Sequence, residues 1–328
     1  MSLLDRFLSR HRQGGPLHTR PTVFGRKWAI TAALVDLFRC LMRLQTVSFK
    51  GKQMPYFCRK DMIRTGRSHA RRVREAIEKA ESEVMGCFDT PRRDWWGTLI
   101  NREEIRWYLN ASRERIRLVI KNVLDFVEPG ANIVEVGAAY GVTILALRNL
   151  GYRVVASDAE HSIRSYGDAL VQTGIENRRW DFHLDPCPFD SGSADAVIAS
   201  EVLEHLQISL SAAILRVKQP LRPGGVAIFT TPNIWRLGNI RKVIKGENVC
   251  EAFPDTPAVK NGVIVDARCH PREPSMKELE AATLDNGLSV LRKQYFSAEG
   301  LPPIKRSAFG VLPFFNAHLL LVGRRDGR

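Results

Sequence analysis

Glu135-Val136-Gly137-Ala138-Ala139-Tyr140-Gly141, then an apolar run, then Val154-Val155-Ala156-Ser157-Asp158, is the stretch on which the fold turns. Ile133, Val134 and Val136 form an apolar strand that feeds a turn of small residues. A second apolar strand closes on a carboxylate, Asp158, 21 residues after Gly137. In a doubly wound sheet this arrangement holds a nucleoside. The small turn lets backbone approach the ligand, and the acid at the second strand's tip accepts both ribose hydroxyls. Glycine spacing decides which nucleoside. A dinucleotide fingerprint requires Gly at 137, 139 and 142, but this chain has Ala139 and Val142. The competing reading is an ordinary strand, turn and helix.

Further strands are expected in order. Asn177 to Phe182 reads as a third strand ending in Asp181-Phe182, and Ala194 to Ala199 as a buried parallel strand from its unbroken small and apolar run. Leu221-Arg222-Pro223-Gly224-Gly225 turns into a fifth strand over Val226 to Asn233, and His318–Val322 reads as a final antiparallel one. Small residues at 137, 139 and 141, with this succession from about residue 110 onward, resemble class I S-adenosylmethionine (SAM) methyltransferases. Ala139 in place of the middle glycine, and Ala194 where an aromatic is usual, are departures. The resemblance implies an α/β fold with a Rossmann-like doubly wound seven-stranded sheet and SAM as cofactor. It implies cofactor contacts from Glu135, Gly137, Ala139, Gly141, Asp158, Asp181 and Phe182. Glu135 would order the methionine end through its ammonium, and Asp181-Phe182 would meet the adenine amine and ring face.

A chain of 328 residues with 44% hydrophobic and 26% charged content can bury such a domain with about a hundred residues left over. Six cysteines without Cys-x-x-Cys spacing suggest neither a disulfide framework nor a zinc knuckle, and a cytoplasmic home. The most apolar long stretch, Trp28–Val47, is interrupted by Asp36, Arg39 and Arg43, which a membrane span tolerates poorly. Before Gly14 no sustained apolar core of the signal-peptide kind is found. Charge is unevenly placed. Residues 1–80 carry 18 Lys+Arg against 5 Asp+Glu, nearly the whole net +14. Residues 1–100 are expected as a basic, mainly helical extension with helices near 27–47 and 60–84, and 101–328 as the methyltransferase domain, entered by a helix near 102–127. Such a basic region fits an anionic partner: the inner face of a membrane, a phosphorylated glycan carrier, or RNA. No RNA-binding motif interleaves aromatics with the arginines, which disfavours nucleic acid. A solvated helical face is the plainer reading.

Glu201-x-x-Glu204-His205 follows the fourth strand, at the sheet edge where α/β ligands bind. If a helix begins at Glu201, both acids and the imidazole share one face and form a divalent-metal half-site. His270, just before a Lys277-Glu278-Leu279 helix, is the candidate fourth donor. This layout resembles the metal-dependent O-methyltransferases of ubiquinone biosynthesis and of small-RNA 3′ ends. The resemblance implies that Glu201, Glu204, His205 and His270 hold a magnesium-like ion. Two other roles stay open for His205: a base, with His270, in a metal-free pocket, or packing. Residues 234–274 are an insertion, with a helix over Asn239–Lys245, that resembles methyltransferases of glycan and polysaccharide gene clusters. The expected function is SAM-dependent O-methylation of a hydroxyl on a glycan or lipid-linked sugar. RNA 2′-O-methylation and a non-catalytic, methyltransferase-like interaction subunit are the alternatives.

Overall fold

The computed structural model describes residues 59–327 except 95, 96, 98, 183, 184, 251–258, 261, 262, 265–269 and 298–312. The chain divides into compact units Met1–Arg59 and Lys60–Arg328. The expected helix near 27–47 lies outside the described residues. Seven strands form one sheet: β1 (Asn132–Val136), β2 (Arg153–Asp158), β3 (Asn177–Arg179), β4 (Ala194–Ser200), β5 (Leu221–Pro232), β6 (Leu288–Phe296) and β7 (His318–Arg325). Their order is β6-β7-β5-β4-β1-β2-β3. Strands β1 to β5 run parallel, and β7 lies antiparallel between β5 and β6.

Alternation along the strands sends side chains to two separate apolar cores. Ile133, Ala156, Ile198 and Ile228 pack with α1 (Arg59–Gly86), α2 (Arg102–Phe126) and α3 (Val142–Asn149), and two short helices, α4 (Glu160–Tyr166) and α5 (Asp168–Gln172), follow β2. Val134, Val197, Ala199 and Phe229 pack on the other face with α6 (Leu210–Lys218) and α8 (Met276–Asp285). Both faces are therefore covered, which is why these strands read as near-continuous apolar runs. The sheet is doubly wound, and its strand order reverses between β1 and β4, the crevice where such sheets bind ligands.

Local chemistry sets the ends of the helices. The Asn101 side chain accepts from the amides of Glu103 and Glu104 at 2.9 and 3.0 Å and starts α2, whose first turn carries both acids. Ser275 and Glu278 close a capping box at the start of α8. The helix expected over Asn239–Lys245 is α7, Leu237–Ile244.

Two expectations need correction. The third strand stops at Arg179, because Trp180 and Phe182 turn into the second core and pack against each other at 4.5 Å. The fifth strand begins at Leu221 rather than Val226, with the register to β4 shifting between Ala194 and Ala196, so the glycine pair sits in a bulge. Within the expected basic extension, Val73, Ala76, Ile77, Ala80 and Val84 of α1 belong to the first core.

Candidate active site

The turn after β1 fits where only small residues can go. Gly137 and Gly141 hold φ of 70° and 78°, and a Cβ on them would lie 2.3 Å from Val202 Cγ2 and 2.2 Å from Leu170 Cδ2. Gly137 thus lets the turn after β1 meet the loop after β4 across the crevice. Ala139 sits at φ 47°, a left-handed conformation that costs a residue with a Cβ about 1–2 kcal/mol. What holds it there is Asp158. Its Oδ2 accepts the Ala139 amide at 2.9 Å, and its Oδ1 accepts the Ala159 amide at 2.9 Å. With the Ser162 side chain as a third donor, one of its four lone-pair sites remains, so the acid fastens the turn and can still receive a ribose hydroxyl. Burial pushes its carboxyl up to about 6, against the pull of the Ala139, Ser162 and Ala159 hydrogen bonds.

Glu135 lies at the bottom of the crevice, 3% exposed. Burial raises its carboxyl to about 8, although Thr143 and the Ile144 amide hydrogen-bond to it and Arg115 lies near. Its Oε2 has no hydrogen-bond partner among the described residues. A buried acid short of a donor suits the ammonium of an amino acid, so these residues fit SAM. Asp181 lies half-buried, donating its amide to Asp185 at 2.9 Å. Phe182 is a core residue against Trp180.

The loop after β4 departs from the expected helix. Glu201 takes φ 56°, and its amide donates to the Thr230 carbonyl at 2.9 Å, continuing the ladder to β5. Only a single 3-10 turn, Leu203–His205, follows, and α6 waits for the Ser209 cap. Glu201 and Glu204 therefore do not share a helical face. The Glu201 carboxylate lies 3.1 Å from His318 Nδ1 and 3.7 Å from Arg115. Burial opposes its charge, but His318 and Arg115 hold it well below the usual carboxylate range.

Glu204, His205 and His270 do come together, their donor atoms all within 4.8 Å of one another. The two imidazoles meet edge to face at 4.7 Å, though 65 residues separate them. Glu204 is 1% exposed and accepts from Thr231 Oγ1 at 3.1 Å, while its Oε1 has no hydrogen-bond partner among the described residues. Burial, and next the Glu201 charge, drive its carboxyl well above the ordinary range. Glu273 backs the cluster: His270 Nδ1 lies 3.3 Å from its Oε1, and Asn239 donates to its Oε2 at 2.7 Å. One carboxylate and two imidazoles, with a buried oxygen lacking a donor, fit a divalent cation. Three of the four expected ligands thus converge, and Glu201 does not join them.

Arg115, His318 and the aromatic wall of Tyr108, Tyr140 and Tyr166 were not singled out from the sequence. Tyr140 lies 4.8 Å from Tyr108 and 4.6 Å from Tyr166, ring to ring. Arg115 donates to the Tyr108 hydroxyl at 3.2 Å and to Ser112 Oγ at 3.0 Å. The available signal for Arg115 was its place beside the buried stripe Leu109, Ser112, Ile116 of α2.

Residues 108–293 match the methyltransferase domain family. No curated protein matches the chain. Similar solved structures include an S-adenosylmethionine-dependent methyltransferase from Mesorhizobium loti, 18% identical, covering 66% of this chain and 98% of that one with a TM-score of 0.44. Magnesium protoporphyrin IX methyltransferase from Synechocystis, with bound SAH, is 18% identical over 66% of this chain and 85% of its own, with a TM-score of 0.45. Geranyl diphosphate C-methyltransferase from Streptomyces coelicolor is 14% identical over 63% and 78%, with a TM-score of 0.43. With the family match spanning more than half its length and the sheet order and crevice described above, the chain belongs to the methyltransferase domain family, as a SAM-dependent enzyme of class I fold.

Proposed function

We propose that the protein transfers the SAM methyl group to a hydroxyl of a glycan or lipid-linked sugar. The observation that supports O-methylation is the meeting of Glu204, His205 and His270 at the sheet edge. SAM supplies an electrophilic methyl group on its sulfonium. A sugar hydroxyl is a poor nucleophile at neutral pH and needs either a base or a Lewis acid beside it. Glu204, His205 and His270 would hold a divalent ion, whose chemistry there is to lower the pKa of an oxygen bound to it. Without an ion, His205, in the loop after β4, or His270, oriented by Glu273, would be the base. Glu201, paired with His318 and Arg115, supports the loop instead of the ion. The glycan part of the reading rests on the insertion at 234–274, whose inner face supplies Asn239 to Glu273.

The test is turnover on a panel of acceptors before and after chelation. Loss with EDTA and recovery with Mg²⁺ or Mn²⁺, on glycan acceptors and not on RNA 2′-hydroxyls, is the expected result. Methylation of carbon or nitrogen acceptors alone would overturn the reading. Turnover indifferent to chelator would remove the metal and leave the histidines as bases.

A further inference from the structure

We infer that α7 and the residue before its cap form a docking surface for an anionic lipid bilayer. Trp235, Leu237, Val243 and Ile244 are 56%, 39%, 62% and 59% exposed, four large apolar side chains within ten positions. Between Trp235 and Gly246 there are four cations and no acid. Arg236 is engaged by Glu273, while Arg241 and Lys245 are exposed. Among these cations on the outward side, only Lys245 has an ion pair among the described residues, with Glu247 at 3.4 Å. An apolar stripe with cations interleaved and no acids is the composition of a helix lying in a lipid interface, with its apolar side chains among acyl chains and its cations at the headgroups. No described helix is long and apolar enough to cross a membrane.

The inner face of α7 ties this surface to the site. Asn239 is buried, and Asn239 and Arg236 both donate to Glu273, which contacts His270. The helix also leaves the carboxyl end of β5, the same edge that carries Glu204 and His205. A bilayer held against α7 therefore lies beside the acceptor side of the crevice. This deepens the lipid-linked acceptor reading and rests on it for its consequence, but its experiment needs neither acceptor nor turnover.

Full-length protein is floated with vesicles of phosphatidylcholine containing 30% phosphatidylglycerol, and with pure phosphatidylcholine, at low and high salt. The expected result is binding to the acidic vesicles, weakened by salt. Val243→Ser with Ile244→Ser should lower it about tenfold, with melting temperature and SAM affinity unchanged. Arg241→Ser should lower it roughly fivefold on acidic vesicles only. Unchanged binding in both variants would assign any membrane contact to the basic N-terminal residues and overturn the proposal. It is equally overturned if the wild type ignores vesicles, or if the apolar substitutions abolish self-association or capture of a protein partner instead.

Discussion

Asp158 does two things with one carboxylate, and its removal should be felt twice. Asp158→Ala leaves the Ala139 and Ala159 amides without their acceptor and takes away the acid facing the ribose. SAM affinity measured by calorimetry should fall roughly ten- to a hundredfold, about 1.5–3 kcal/mol. Unchanged affinity would remove the nucleoside from this strand tip. Gly137→Val acts differently: any Cβ there meets Val202, so the melting temperature without ligand should drop together with affinity. Glu135 carries a pH signature. Its carboxyl stands at about 8 in the folded protein, above its ordinary 4.5, because it is buried. A raised carboxyl contributes stability that is full below about pH 4.5 and lost as pH rises through about 8. The ligand-free melting temperature should accordingly fall across that window, and Glu135→Gln should flatten the fall. SAM, by bringing an ammonium, favours the ionised acid, so binding at pH 7 should release about one proton. Equal binding heats in phosphate and Tris, whose ionisation heats differ, would count against this role.

At the scale of elements, the sheet could be read in the sequence and the loop after β4 could not. Buried parallel strands are short apolar runs with little else in them, and β1, β2 and β4 are all of that kind. Glu201-x-x-Glu204-His205 has helical spacing, but the spacing says nothing of the partners that decide its conformation. Arg115 comes from α2 and His318 from the last strand, more than 80 and 110 residues away in sequence. In sequence Arg115 is one of four arginines between Arg106 and Arg117, indistinguishable from surface charges. Its burial depends on the packing of α2 against the sheet. His270 was legible because the resemblance supplied its spacing, whereas the exclusion of Glu201 depended on His318. Arg115→Met should therefore destabilise the protein by about 3 kcal/mol, since it leaves the buried Glu201 carboxylate with only His318 beside it. Arg115→Lys should rescue only part, because a point charge cannot donate to Tyr108 and Ser112 in the same fork. A double-mutant cycle with Glu201→Gln should give a coupling of about 1–3 kcal/mol by thermal or denaturant melting. A coupling near zero would mean that the 3.7 Å pair does not support the loop.

At the scale of the whole molecule, composition hides what α1 contributes to the first core. The arginines of α1 make it look like part of a solvated basic tail, and Arg71, Arg72 and Arg74 are indeed exposed. Its other face is the informative one: Val73, Ala76, Ile77, Ala80 and Val84 recur at helical spacing and, with Phe88, lie in the first core. Burying Val73, Ile77, Val84 and Phe88 contributes roughly 1.5–3 kcal/mol each, about 6–12 kcal/mol together. A whole domain is stable by only about 5–15 kcal/mol. A chain cut to residues 101–328 should therefore lose its cooperative melt and its SAM binding, although it keeps every strand of the sheet. A chain cut to 59–328 should retain both, since it removes ten Lys+Arg and two Asp+Glu but none of the described residues of the first core. The same pair of truncations separates the two basic surfaces. If α7 docks on lipid, the 59–328 chain should still float with acidic vesicles, at reduced affinity because eight net positive charges have gone. A native melt from the 101–328 chain would show that α1 decorates the core without being needed to build it.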